Sequence, residues 1–455
     1  MNVYTDKKSS GVDWLGEIPK HWNVSSLKRV LAEQLKYGAT EAGDCNDRSL
    51  PRYLRITDFD SDGSLRTDTF VSLPEEIARD YYVSEGDVLF ARSGATVGKT
   101  FLFQNFQGRA CFAGYLIKAS PARHKLTSEF LYYFTKSPAY EAWKDFIFTQ
   151  ATIQNIGADK YAYLPVCLPT LPEQQRITAY LGVSCSAIDA AVAAKRRQLE
   201  TLDAIRKSII QRAVTRGVST RVALESTGNA WIEQIPRGWK LVCLKRIAQI
   251  QGGLTLGKQY DGPLIEHPYL RVGNVQDGHL DLADVSVIEL PASVAACVEL
   301  RPDDVLMTEG GDLDKLGRGH LWKGEIPGCL HQNHIFAVRC FLHKLKPMFL
   351  AYVTAAKYGR DYFEATGKKT TNLACTNATK VGEFPIPLPP LAEQEDICAY
   401  LDEKLDELKS IVTNIESQIV TLTAYRKSLI HECVTGQRRI TEADVLQAQN
   451  KRSPT

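Results

Sequence analysis

Residues 91–100, Ala-Arg-Ser-Gly-Ala-Thr-Val-Gly-Lys-Thr, end in Gly98-Lys99-Thr100, the way a phosphate-cradling loop ends. Such a loop would give nucleotide chemistry, with backbone N–H groups around the phosphates and the lysine on the terminal ones. It needs a glycine five places before the Gly-Lys pair, and a helix opening directly after it. Here Ser93 holds the glycine position and Gly94 comes one residue late. The following segment, TFLFQNFQGRACF, alternates Phe with Leu and Gln and reads as strand. A second candidate, His331 and His334 in HQNH, has no acidic or thiol residue close in sequence, so these are expected to be structural histidines and not metal ligands. No Asn/Asp-Pro-Pro-Tyr/Phe motif of an adenine methyltransferase and no Ser, Cys or His constellation stands out. The expectation is a chain with no catalytic residues and no metal of its own.

The elements that position these residues belong to a long chain. Its 455 residues imply two or more domains, and 44% hydrophobic with 24% charged residues describes a globular protein. A net charge of +2 means that any nucleic-acid surface is a local basic patch. Eleven cysteines are scattered singly, with no Cys-x-x-Cys pair, which favours reduced thiols in a cytoplasmic protein. The N-terminal segment lacks a signal-peptide core, and no stretch reads as long enough to span a bilayer, so no membrane is expected.

The chain is written twice. WLGEIPKHWNVSSLKR (Trp14 to Arg29) returns as WIEQIPRGWKLVCLKR (Trp231 to Arg246), 217 residues later. YLRITD from Tyr53 returns as YLRVGN from Tyr269, and GDVLFARSG from Gly86 as DDVLMTEGG from Asp303. LPTLPEQQRITAYL from Leu168 returns as LPPLAEQEDICAYL from Leu388. Each copy begins with short Val/Ile/Leu/Tyr runs and turn glycines, the texture of a mixed α/β domain. Each ends in a long helical pattern that prolines introduce and that carries Glu173 or Glu393 in its first turn, at the positive end of the helix dipole.

The second helix has a heptad seam of Leu401, Leu405, Leu408, Val412, Ile415, Ile419, Leu422 and Leu429. Its counterpart in the first copy is Leu181, Cys185, Ile188, Val192, Leu199, Leu202 and Ile209, with Lys195 and Arg206 also in the seam. Seams this narrow are what a coiled coil requires, and the two cations point to a partner surface that is not purely apolar or to a register device. A helix of roughly 40 residues is about 60 Å long, more than one such domain needs. The predicted organisation is a first domain over 1–168, a long helix over 169–217, a second domain over 218–388, a long helix over 389–437 and a tail over 438–455. An antiparallel coiled coil of the two helices would give a pseudo-twofold tandem repeat.

This order of elements, with W..G.IP..W....L opening the domains and LPTLPEQQRI and LPPLAEQEDI opening the helices, resembles the specificity subunit of Type I restriction-modification systems over essentially the whole chain. The resemblance implies a non-catalytic subunit with two target recognition domains, each reading half of a bipartite asymmetric sequence in double-stranded DNA. It implies a helical pair that sets the spacer and docks two methyltransferase (modification) subunits, and through them restriction/translocase subunits. S-adenosylmethionine, ATP and Mg would belong to those partners. Glu173, Gln174, Glu393 and Gln394 join the seam residues as the expected helix-pair and partner positions.

Base and phosphate contacts need Arg, Lys, Asn, Gln or hydroxyl side chains. In the first domain the candidates are Arg92, Ser93, Thr96 and Lys99, then Gln150, Thr152, Gln154 and Asn155, then Lys160. In the second they are Gln251, Lys258 and Gln259, then Lys315 and Arg318, then Lys368, Lys369, Thr370 and Asn372. The paired tryptophans recur in both copies and are read as core packing, since residues shared by domains that read different sequences should not do the reading. Two other readings stay open: a coiled-coil scaffold with protein-binding end domains, and an ATP-binding enzyme using Gly98-Lys99-Thr100.

Overall fold

The computed structural model describes residues 2–43, 45–60, 63–149, 155–219, 222–369 and 374–450. Packing divides the chain into two units, residues 1–195 with 417–455, and residues 196–416. Each unit contains one globular domain, the start of one long helix and the end of the other.

Both domains share one frame. In the first unit a four-stranded antiparallel sheet runs in the order Lys36–Tyr37, Leu116–Ala119, Val88–Ala91, Thr100–Leu102. The second has Ala248–Gly252, Ile335–Cys340, Val305–Thr308, Gly319–Leu321 in the same order. A parallel pair flanks each sheet, Arg52–Leu54 with Ala110–Phe112 and Ile265–Leu270 with Leu330–His331. The strand after each tryptophan motif pairs with the strand before the long helix, Asn23–Ser26 with Pro165–Leu168 and Lys240–Cys243 with Pro385–Leu388. This joins the two ends of each domain beside the helix.

One crossing fixes the frame. A Cβ on Gly38 would lie 2.2 Å from the Phe112 carbonyl oxygen, and one on Gly253 would lie 2.3 Å from that of Gln332. Only glycine admits this approach, and it lets Ala39 and Leu254 donate to the carbonyls of Phe112 and His331 at 2.9 and 2.7 Å.

The long helices span Leu171–Arg216 and Leu391–Val434. In the first unit they run antiparallel: Arg176 Nε donates to the Ile440 carbonyl at 3.4 Å, the Arg438 guanidinium lies over Tyr180 at 5.3 Å, and Asp189 pairs with Arg426 at 2.9 Å. Leu181, Cys185 and Ile188 share a core with Leu429, Ile430, Cys433 and Val434. In the second unit Ile210, Ala213 and Val214 share a core with Ile397, Cys398 and Leu401. All the predicted seam positions are buried or half-buried, including Val192, Leu199, Leu202, Ile209, Leu408, Val412, Ile415, Ile419 and Leu422. The first helix also corrects the membrane expectation. An 18-residue window in it has a mean hydropathy of 1.5, long and apolar enough by composition to cross a bilayer. Its apolar residues Ile177, Leu181, Cys185 and Ile188 are buried in the first unit's core.

The glutamine at the head of each helix is buried against its own domain, which corrects its assignment as a partner position. Gln174 and Gln394 are fully buried. Gln174 accepts from the Thr127 backbone N–H at 2.8 Å and donates to the carbonyls of Lys125 and Pro169 at 2.9 and 3.0 Å. Gln394 does the same with Lys346, Lys344 and Pro389 at 2.8, 2.9 and 2.9 Å. Glu173 accepts from the Trp22 indole at 3.5 Å and from Thr170, and lies 2.9 Å from His21; Glu393 accepts from the Trp239 indole at 3.0 Å. The far end of the other helix meets the same tryptophan. Gly436 and Gly217, both at φ +74° just past the helix ends, lie against Trp22 and Trp239, as left-handed C-terminal caps.

Residues Glu442–Asn450 form a helix whose N-terminus Thr441 and Asp444 cap reciprocally at 2.9 and 3.3 Å, and Val445 and Ala448 pack on the first unit's core.

Gln174→Leu strands three buried backbone groups, each worth about 1–3 kcal/mol when unpaired. Amide exchange at Thr127 should accelerate by on the order of 100-fold, whereas Gln175→Leu, at an exposed position, leaves it unchanged. Burial alone would raise the Glu173 pKa, but hydrogen bonds from His21 and Thr170 outweigh it and hold the carboxyl below its ordinary 4.5. A depressed folded-state pKa stabilises fully above the unfolded value and is lost as pH falls through the folded one. Acid titration of unfolding should therefore show stability falling below pH 4.5, with a shallower fall in Glu173→Gln.

Candidate nucleic-acid interface

The Gly98-Lys99-Thr100 segment leads into the strand Thr100–Leu102, so no helix N-terminus faces the loop. The loop is instead closed on itself: Ala91 donates to the Lys99 carbonyl at 2.8 Å, Gly98 to the Ala91 carbonyl at 2.9 Å, and the buried Tyr140 hydroxyl to the Gly98 carbonyl at 2.9 Å. Its rim then pairs with the segment before the long helix, through a backbone bridge of Ser93 with Asn155 and a bond from Ile156 to the Arg92 carbonyl at 2.9 Å. Two separately predicted segments thus form one edge.

The second domain builds the same edge. Thr308 donates to the Arg318 carbonyl at 3.0 Å and Gly317 to the Thr308 carbonyl at 3.0 Å. Gly310–Gly311 pairs with Ala374–Cys375, which also pairs with Lys368–Lys369, and Thr376 donates to the Glu309 carbonyl at 2.8 Å. These bonds make Arg92 the structural equivalent of Glu309, Ser93 of Gly310 and Lys99 of Arg318.

Of the first-domain candidates, Lys99, Asn155 and Lys160 are exposed, while Arg92, Ser93 and Thr96 are half-buried. The Arg92 guanidinium lies 4.8 Å over the Tyr37 ring, and among the described residues its buried Nε has no acceptor. Gln150, Thr152 and Gln154, like Thr370 and Asn372 of the second domain, lie outside the described residues. In the second domain Lys368 and Lys369 are exposed on a strand, and Lys315 is ion-paired to Asp312 in its own turn. Arg318 sits beside Asp277, whose pKa is lowered because Arg360, Arg206 and Arg318 together outweigh its burial. Lys258 and Gln259 are exposed on the loop after Leu254, which is bonded to Asn333 beside His334. Gln251 is a correction: its amide donates to the Cys297 carbonyl, tying its strand to the helix Ala292–Val298.

Of the two histidines, His331 is fully buried and its Nδ1 lies 2.9 Å from the Ile335 carbonyl oxygen, whereas His334 is exposed and sits 3.5 Å from Glu309. Burial raises the Glu309 pKa, against the pull of His334. Composition gives no pointer to Tyr37, Tyr115 or Glu309, and places His334 only among structural histidines. Tyr115 and His334 occupy equivalent turns, accepting from the backbone N–H of Arg92 and of Glu309 at 3.0 and 2.8 Å. Lys28 and Lys245 were also missed; both are exposed in the repeated Leu-Lys-Arg turn, and Lys28 lies 3.8 Å over Tyr163.

A family model described as the Type I restriction modification DNA specificity domain matches residues 21–201. Over 455 residues the chain is 23% identical to the Type I restriction enzyme StySPI specificity subunit of Salmonella potsdam, covering 96% of this chain and 94% of that one. It is 21% identical to the EcoKI specificity subunit of Escherichia coli K12, again covering 96% and 94%. Over nearly its whole length the chain is similar to Type I restriction-modification specificity subunits. A match to the putative MjaX specificity subunit of Methanocaldococcus jannaschii, 25% identical, spans about half of each chain, 45% of this one and 47% of the relative. A solved chain from a study of complex assembly and conformational transition of the type I R-M system superimposes with a TM-score of 0.69 at 16% identity, covering 92% of this chain and 99% of that one; it has the same fold.

In a specificity subunit, cations kept at equivalent places in both domains are expected on phosphates, because phosphates carry no sequence information. Lys99→Ala and Arg318→Ala should each weaken DNA binding uniformly across sequences and reduce the slope of log affinity against log salt by about 0.9. Anisotropy titrations of the assembled complex at several salt concentrations measure this.

Proposed function

We propose that this specificity subunit is non-catalytic and reads a bipartite asymmetric target in double-stranded DNA, one half with each globular domain. The long helices set the spacer, dock two methyltransferase subunits and, through them, restriction/translocase subunits. The chain carries no cofactor of its own, and S-adenosylmethionine, ATP and Mg act on the partners. It works in the cytoplasm.

The observation that carries this reading is that one frame occurs twice with different side chains on the same loop edge. Identical frames suit a common task, and divergent edges suit two different sequences. The helices support the spacer role, since each begins locked to one domain by its Glu-Gln pair and ends against the tryptophan of the other.

Inserting one heptad into both helices at matching depth lengthens each by about 10 Å, close to three base pairs at about 3.4 Å each. DNA selection with the reconstituted complex should recover both original half-sites with a longer spacer. Changed half-sites with an unchanged spacer would contradict the proposal.

A further inference from the structure

The two loop edges carry opposite charges at one structurally equivalent position. Arg92 and Glu309 each follow the second strand of the sequence-equivalent pair, Val88–Ala91 and Val305–Thr308. Each accepts at its carbonyl from the segment before the long helix, Ile156 at 2.9 Å and Thr376 at 2.8 Å. Each donates its backbone N–H to the turn that carries Tyr115 or His334. The backbone of this position is therefore fixed alike in both domains, and the side chain alone differs. The residue that closes the loop onto the incoming strand, Lys99 or Arg318, is a cation in both domains.

Neither side chain is used up by the fold. Among the described residues no carboxylate pairs with Arg92, its Nε lacks an acceptor, and the Tyr37 face holds the guanidinium plane at 4.8 Å. Stacking of this kind orients the fork while leaving its edge donors available. The position equivalent to Tyr37 in the second domain is Gly252, paired with Phe336 as Tyr37 is with Ile117, so Glu309 has no counterpart of the Tyr37 ring. The Glu309 side chain is about one-quarter exposed, and among the described residues its ion-pair partner is His334 at 3.5 Å. A planar five-donor group matches the two acceptors of guanine in the major groove, and a carboxylate matches the amino donor of cytosine.

Resting on the proposed DNA-reading function, we infer that this shared position determines specificity in both domains, Arg92 selecting a guanine in one half-site and Glu309 a cytosine in the other. Sign reversal on a common frame gives the two domains different sequences without altering either fold.

The test is random-DNA selection with the reconstituted complex carrying wild-type, Arg92→Gln, Arg92→Lys or Glu309→Gln subunit. Wild type should return an invariant guanine in one half-site and an invariant cytosine in the other. Arg92→Gln should lose about 10- to 100-fold of the guanine preference at that single position, in favour of adenine, and Arg92→Lys should retain guanine. Glu309→Gln should relax only the cytosine. In every variant the untouched half-site reports that the subunit is folded and assembled. A wild-type complex that selects a bipartite sequence while Arg92→Gln and Glu309→Gln leave every position unchanged overturns the inference and leaves the function standing. Loss of preference across a whole half-site overturns it as well, since that marks a scaffold residue. A wild-type complex without sequence preference overturns the function itself, and this inference with it.

Discussion

The bond between a helix-head carboxylate and an indole, buried Glu173 with Trp22 and half-buried Glu393 with Trp239, is the constraint from which the rest of the architecture follows. A carboxylate out of water is costly unless its lone pairs are filled, and here the fillers come from the opening motif of the domain and from the helix's own first turn. The helix dipole adds to the preference for negative charge at this end. The adjacent glutamine satisfies three backbone groups of its own domain. Each helix therefore leaves its domain in one direction only. The closing glycine of the other helix, seated against the same ring, fixes where that second helix arrives. One junction, built twice, orients four helix ends.

The loop edge depends on the same economy of constraints. Backbone hydrogen bonds, the glycine crossing and buried hydroxyls such as Tyr140 hold the main chain without using the side chains that point outward. Loops held this way can change residue without a change in stability, since surface substitutions away from caps and buried polar groups cost little. Gln251 shows the contrary case, because its amide closes a helix end and is not available for a ligand. The Arg92 and Tyr37 pair lies between the two cases: the stack orients the cation but leaves its donors unfilled.

Much of this was legible in the sequence because duplication supplies an internal comparison. The repeated tryptophan motif, the two long helices and the apolar seam all rest on local periodicity, and the seam positions are the buried and half-buried ones. The alignment of GDVLFARSG with DDVLMTEGG already set Arg92 against Glu309. It could not supply Tyr37, or the pairing of the candidate Asn155 with Ser93, since both contacts join segments more than fifty residues apart. The glutamine was misread for a related reason, since the direction of its side chain is set by the tertiary contact with the domain. The helix Glu442–Asn450 escaped notice because it is short and weakly amphipathic, and the Thr441–Asp444 cap becomes visible only when packing defines its start.

The cations in the seam illustrate how a duplicated chain avoids its own symmetry. Arg206 and Arg426 occupy the same place in the two copies, yet Arg426 pairs with Asp189 on the facing helix while Arg206 approaches Asp277 of the second domain at 3.5 Å. Ion pairs this exposed contribute little to stability. Their effect lies in discrimination: a chain with two similar helices and two similar domains has mispaired alternatives, and a charge in an apolar seam is tolerated only where its acceptor is waiting. Asp189 has an alanine-rich neighbourhood and no counterpart acid in the second copy, where Lys409 stands at the equivalent position. The apolar seam thus brings the helices together, while its polar positions find different partners in the two copies.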